Sequence, residues 1–176
     1  DDVTRFIQSF SGSHRFVLDY LIEEVLDQQP ADIQTFLLQT AVLEQLTAPL
    51  CAAIMADSEM TVPRVQAMLD RLDQANLFII PLDDSRQWFR YHHLFGDLLR
   101  QRLRLEKGDT AMLHQRAGKW LEQNGFPRKA VNHYLAAAVW EEAAALIHSQ
   151  SEGLQKHGEN TTFLKWMHAL PDAVIQ

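Results

Sequence analysis

At 176 residues the chain has room for one domain or two small ones, and a hydrophobic share of 47 % is enough to build a core. A net charge of -7 argues against strong attraction to nucleic acid or anionic membrane, which both need concentrated positive charge. The single cysteine, Cys51, can form no internal disulfide, no apolar run approaches the ~18 residues of a membrane span, and the Asp1-Asp2 start fits an internal piece of a longer cytoplasmic protein better than a signal peptide.

Helical periodicity dominates the chain. Leu18, Leu21, Ile22 and Val25 share one face of a first helix, and Pro30 breaks the chain after it. Ile33, Phe36, Leu37 and Ala41 predict a second helix. Thr47 is placed to cap a short third through Leu50 and Ile54. Thr61 is placed to cap a fourth, with Pro63 in its first turn and Val65, Met68, Leu69 and Leu72 facing inward. The pattern then changes. Leu77 to Ile80 is a short bulky run, Asp83-Asp84-Ser85 is a turn cluster, and Gln87 to Tyr91 alternates polar and aromatic residues. Together they predict a β-hairpin, with Pro81 confining its strand to an edge. A helix follows with Phe95, Leu98, Leu99 and Leu103 inward, and with Arg100, Arg102, Arg104 and Lys107 toward its C-terminal end, where cations suit the helix dipole.

Short helices, a hairpin and a helix in this order predict a winged-helix-like domain over about 30–108, preceded by a helical segment at 1–29. Beyond it, 109–176 reads as antiparallel helical hairpins similar to the start of a helical-repeat (TPR-like) array. Leu113, Ala117, Trp120 and Leu121 form one stripe. Gly125 ends that helix and Pro127 opens the next, lined by Ala130, Tyr134 and Ala138. Trp140, Ala143, Ala144 and Ile147 line a third helix, and Phe163, Trp166, Met167 and Leu170 a fourth, stopped by Pro171. The fold class is therefore mainly α with one small β-hairpin.

The chain carries no phosphate-binding glycine loop, no dinucleotide fingerprint, no paired-cysteine motif, no H-E-x-x-H and no G-x-S-x-G elbow, so no enzyme is expected within it. His14, His114, His133, His148, His157 and His168 read as single histidines on separate helices, without the spacing of metal ligands. Cys51, on an apolar helix face, reads as a small core residue. The four tryptophans read as packing residues. His92-His93 differs, because it sits where the hairpin ends and a helix begins. Backbone N–H groups at such an end favour an anion such as phosphate, and a neutral imidazole adds a donor; the alternative is that either histidine merely caps or packs against the hairpin. For DNA, the helix from Pro63 to Ala75 balances Arg64 and Arg71 against Asp70 and Asp73, and the wing turn is acidic, so a winged helix used for protein contacts fits better.

The segment from Phe78 to Arg100, with Arg90-Tyr91-His92-His93-Leu94-Phe95 at its centre, resembles MalT-like regulators, large ATP-dependent transcriptional activators of the LuxR family within the STAND class of ATPases. Arg15 to Leu21, Phe36 to Leu43, Leu113 to Ala117 and Trp140 to Ile147 are similar to the same family. The resemblance implies a modular parent. An upstream P-loop domain binds ADP or ATP, a winged helix and a helical sensor follow, and a C-terminal helix-turn-helix binds promoters. It implies that this chain holds the end of the nucleotide module at 1–29, the winged helix, and the first sensor helices, with the rest of the same parent as its partners. It also implies an activated parent that self-associates. In related STAND proteins the histidine of a Met-His-Asp motif at the winged helix touches the ADP β-phosphate. Tyr91-His92-His93 matches that motif, which makes His92 the candidate contact. Tyr and His replace the flanking Met and Asp, so the register leaves His93 open as well. Val139 stands where the family tends to place an Asp cap. Two further readings are a helical scaffold for a protein partner and a direct winged-helix DNA binder.

Overall fold

A computed structural model of the chain describes residues 26–75, 79–106, 110–156, 160–171 and 174. The helix expected around Leu18 to Val25 lies outside the described residues. The first described helix, α1 (Ala31–Thr40), starts behind the extended Pro30 and buries Ile33, Phe36, Leu37 and Thr40. Helix α2 (Ala48–Met55) carries Pro49 in its first turn, where a missing N–H costs nothing, and buries Leu50, Cys51, Ile54 and Met55. It stops at Ala56, whose left-handed φ of 48° ends the helical path. Helix α3 (Val62–Gln74) is the most clearly two-faced of the three, with Val65, Met68, Leu69 and Leu72 inside. Thr47 and Thr61 do precede α2 and α3 with extended backbones, but neither side chain bonds its helix. The prolines in the first turns, which fix φ, mark these starts instead.

Strands β1 (Ile79–Pro81) and β2 (Phe89–Tyr91) pair antiparallel, with Ile79 opposite Tyr91 and Pro81 opposite Phe89. Phe89 also exchanges both backbone hydrogen bonds with Leu46, at 2.8 and 2.9 Å. That bridge puts β2 in the middle and leaves β1 as the edge, the place that tolerates Pro81. Asp83 closes the wing turn by accepting the Gln87 and Trp88 N–H groups at 3.0 and 2.9 Å. Helix α4 (His93–Leu105) then buries Phe95, Leu98, Leu99 and Leu103.

Helices α5 (Thr110–Gln123), α6 (Pro127–Ala136), α7 (Trp140–Lys156) and α8 (Asn160–Ala169) follow. The turn after α5 bonds Phe126 N–H to the Leu121 carbonyl and Gly125 N–H to that of Glu122, with Gly125 at φ 83°. The turn after α6 repeats the pattern: Val139 bonds Tyr134, Ala138 bonds Leu135, and Ala138 takes the left-handed position at φ 56°. Ala138 is therefore an exposed turn residue and not part of the buried stripe of α6. Helix α8 returns onto α6, where Trp166 Nε1 donates to Asn132 Oδ1 at 2.8 Å. Buried side chains of α1 to α4 and of α5 to α8 form one continuous core, and α2 packs directly on α5. Among the described residues no helix is long and apolar enough to cross a membrane.

Candidate functional site

The wing–helix junction is built around Tyr91. Its ring is buried, packs edge-on against Phe95 with centroids 6.0 Å apart, and its hydroxyl shares a 2.7 Å hydrogen bond with Thr40, which in turn donates to the Phe36 carbonyl at 2.6 Å. Burial pushes the Tyr91 hydroxyl well above its ordinary range, so it stays a neutral anchor. Gly96 lets α4 close onto this anchor, since a Cβ there would stand 3.3 Å from that of Tyr91. With Tyr91 fixed, β2 delivers His92 to the position just before α4, and the Gly96 N–H bonds its carbonyl at 2.9 Å.

His92 is half-buried and its side chain makes no cap to α4, whereas His93 is exposed as the first helical residue. Their rings lie 4.4 Å apart at a 34° tilt. Burial, then the neighbouring His93 and the Arg90 guanidinium, hold the His92 imidazole below its usual value. It is therefore neutral near pH 7, with one donor and one acceptor. Arg90 is exposed on β2, and Asp97, one turn into α4, is engaged by Arg100 at 2.7 Å. Two imidazoles, one guanidinium and the positive end of a helix form a surface that suits an acceptor-rich anion.

Much of the charge on the face a DNA-reading winged helix would use is paired within the chain. Arg64 pairs with Asp32 and Glu59 at 3.5 and 3.8 Å, Arg86 pairs with Asp73, and Asp83 fills the wing turn. Trp88, at the end of the wing turn, lies edge-on to Phe126 at 5.5 Å.

One pairing escapes a reading of single histidines. His114 of α5 and His133 of α6 meet Nδ1 to Nδ1 at 2.9 Å inside the hairpin. A hydrogen bond between them requires one ring to donate and the other to accept. Burial, helped by His114, holds the His133 imidazole down to about 4, and burial lowers His114 too. The two residues stand symmetrically about the α5–α6 turn, as Ala117 and Ala130 do, and that mirror spacing is the signal the sequence carried. The cavity beside His133, about 30 Å³, has room for about one water. Two nitrogens fall short of a structural metal site, and among the described residues no cluster of three or more His, Cys, Asp or Glu gathers to hold a metal. Cys51 is wholly buried and its thiol is pushed up to about 12, which makes it an unreactive core residue.

The sequence profile of the MalT winged helix domain matches residues 22–111, taking in α1 to α4, the hairpin and the start of α5. The chain belongs to the MalT winged helix domain family. It is 31 % identical over 177 aligned positions to the serine/threonine-protein kinase PknK of Mycobacterium tuberculosis, a match covering 99 % of this chain and 15 % of that protein. It is 33 % identical over 169 positions to the HTH-type transcriptional regulator MalT of Cronobacter sakazakii, covering 95 % of this chain and 18 % of that protein. The chain thus spans less than a fifth of the length of these relatives. His92 and His93 both fall inside the matched domain, whereas His133 lies beyond it.

Proposed function

We propose that this chain is the relay segment of a cytoplasmic, MalT-like, ATP-dependent transcriptional activator. It couples the nucleotide state of an upstream domain to the sensor repeats downstream, and by itself neither hydrolyses ATP nor reads DNA. The observation that carries the reading is the Tyr91–Thr40 anchor, which holds His92 and His93 at a fixed surface site beside the start of α4. In the resting state His92 contacts the ADP phosphate held by the upstream domain. Inducer and ATP shift the population to an open form in which that contact is lost and the parent self-associates. Promoter binding belongs to a C-terminal helix-turn-helix domain of the parent.

The test is ADP affinity of the full-length parent carrying His92→Ala or His93→Ala. Loss of one charge-assisted hydrogen bond weakens ADP by about tenfold. Equal affinity in both variants and the unmodified parent would end the clamp idea. A second reading, a scaffold for a protein partner, draws on Leu164, which is 55 % exposed on α8. It predicts partner binding through α7 and α8 that is indifferent to nucleotide.

A further inference from the structure

The α5–α6 hairpin is fastened to the winged helix at two places. At the wing, Trp88 lies edge-on to Phe126 at 5.5 Å, Phe126 stacks over Trp120 at 6.4 Å and 11°, and the Lys129 ammonium sits 5.5 Å from the Trp88 centroid and 5.4 Å from that of Phe126. The same ammonium donates to the Gln45 side-chain oxygen, just ahead of α2. At the other end of α2, the Arg116 guanidinium of α5 donates to the Ile54 carbonyl at 3.0 Å. The buried packing of α2 on α5 joins the two parts. These two side-chain contacts brace that packing at opposite ends of an eight-residue helix, about 12 Å apart at 1.5 Å per residue.

We propose that the wing serves as an intramolecular latch, in which Trp88 and Lys129 lock the winged helix to the α5–α6 hairpin so that the two move as one body. The wing is then a mechanical part and not a surface for nucleic acid. Trp88 leads directly into β2, and His92 follows its last residue, Tyr91. A displacement of the α5–α6 hairpin at Trp88 therefore has a direct route to the wing–helix junction along a three-residue strand. Trp88 and Lys129 are positioning residues in this scheme: they touch no ligand, and they hold the junction to the hairpin. The last link deepens the relay reading and rests on it. The latch itself does not.

The experiment is a spin-label distance measurement on this chain, with cysteines introduced at the exposed positions Ala67 of α3 and Ala136 of α6. Cys51, fully buried, stays unlabelled. The unmodified background should give one narrow distance distribution. Lys129→Met should broaden it, and Lys129→Arg, which keeps the cation over both rings, should restore it. Trp88→Ala should broaden it further; should that variant fail to fold, the two Lys129 variants decide alone. A distribution that is already broad without mutation, or one that stays narrow in Lys129→Met, overturns the latch. Because the measurement involves no nucleotide, its failure is separate from a failure of His92 or His93 to affect ADP binding in the parent.

Discussion

Two histidine pairs, one in each half of the molecule, show how differently the same side chains are used. His92 and His93 are neighbours in sequence and meet solvent at the wing–helix junction, where their rings pack against each other and the His92 side chain makes no cap to α4. His114 and His133 are nineteen positions apart, yet their ring nitrogens come within 2.9 Å inside the hairpin. The first pair can exchange partners with whatever arrives. The second has already used its polar capacity inward, in a place where a charge would be costly. Adjacency in sequence thus marks the accessible pair, and symmetry about a turn marks the structural one.

The largest effect expected from this contrast comes from the buried pair. His133→Ala empties a packed site and strands the His114 ring, and should cost about 2–4 kcal/mol in urea unfolding. A loss near zero would mean that the pairing contributes nothing to the hairpin. The same pair should govern acid sensitivity. The His133 imidazole, held to about 4 when folded, has a usual value of 6.5 when unfolded. Its stabilising contribution is full above 6.5. As pH falls from 6.5 toward 4 the unfolded chain takes up a proton that the folded chain refuses, and about 3 kcal/mol is lost. Below 4 that contribution stops changing. Urea midpoints across this window should fall steeply for the unmodified chain and less steeply for His133→Asn; parallel profiles would remove His133 from the account.

Close packing of the same hairpin gives a third, smaller effect. A Cβ on Gly118 would fall 2.7 Å from the Tyr134 ring, so Gly118→Ala should destabilise by about 1–3 kcal/mol despite its better helix propensity. At the junction, Tyr91→Phe removes one buried hydrogen bond, and thermal unfolding should register about 1 kcal/mol. The smallest change is expected from the exposed pair. His93→Ala should leave stability within about 0.5 kcal/mol, which allows its effect on nucleotide binding in the parent to be read without a folding correction.

Much of the fold was legible because its elements obey local rules. The stripes Val65-Met68-Leu69-Leu72 and Phe95-Leu98-Leu99-Leu103 have the helical period and are buried as that period requires. The aspartates and serine at 83–85 form the turn their side chains favour, and Gly125 takes a positive φ for which a glycine is suited. Ala138 broke the pattern, because a turn imposed by the packing of α6 and α7 forces an alanine into a conformation that local preference reserves for glycine. The junction site was half legible. The residue types and the helix start could be read from the chain, but the tie from Tyr91 to Thr40 spans fifty-one positions and no local rule reports it. Trp88 was readable as a packing residue, while the Phe126 and Lys129 it packs against were set by how α5 and α6 return over α2.

The guanidinium of Arg116 on the Ile54 carbonyl has a consequence for the order in which the chain is made. The end of α2 is completed by a side chain translated sixty-two residues later. At synthesis rates of about 5–20 residues per second, that leaves roughly 3–12 s in which α2 has been made but lacks its partner. Through that interval the face of α2 that will pack on α5 stays uncovered, and the winged helix is finished only when the hairpin emerges to close it. A ribosome stalled between these two points would hold a winged helix with an open side.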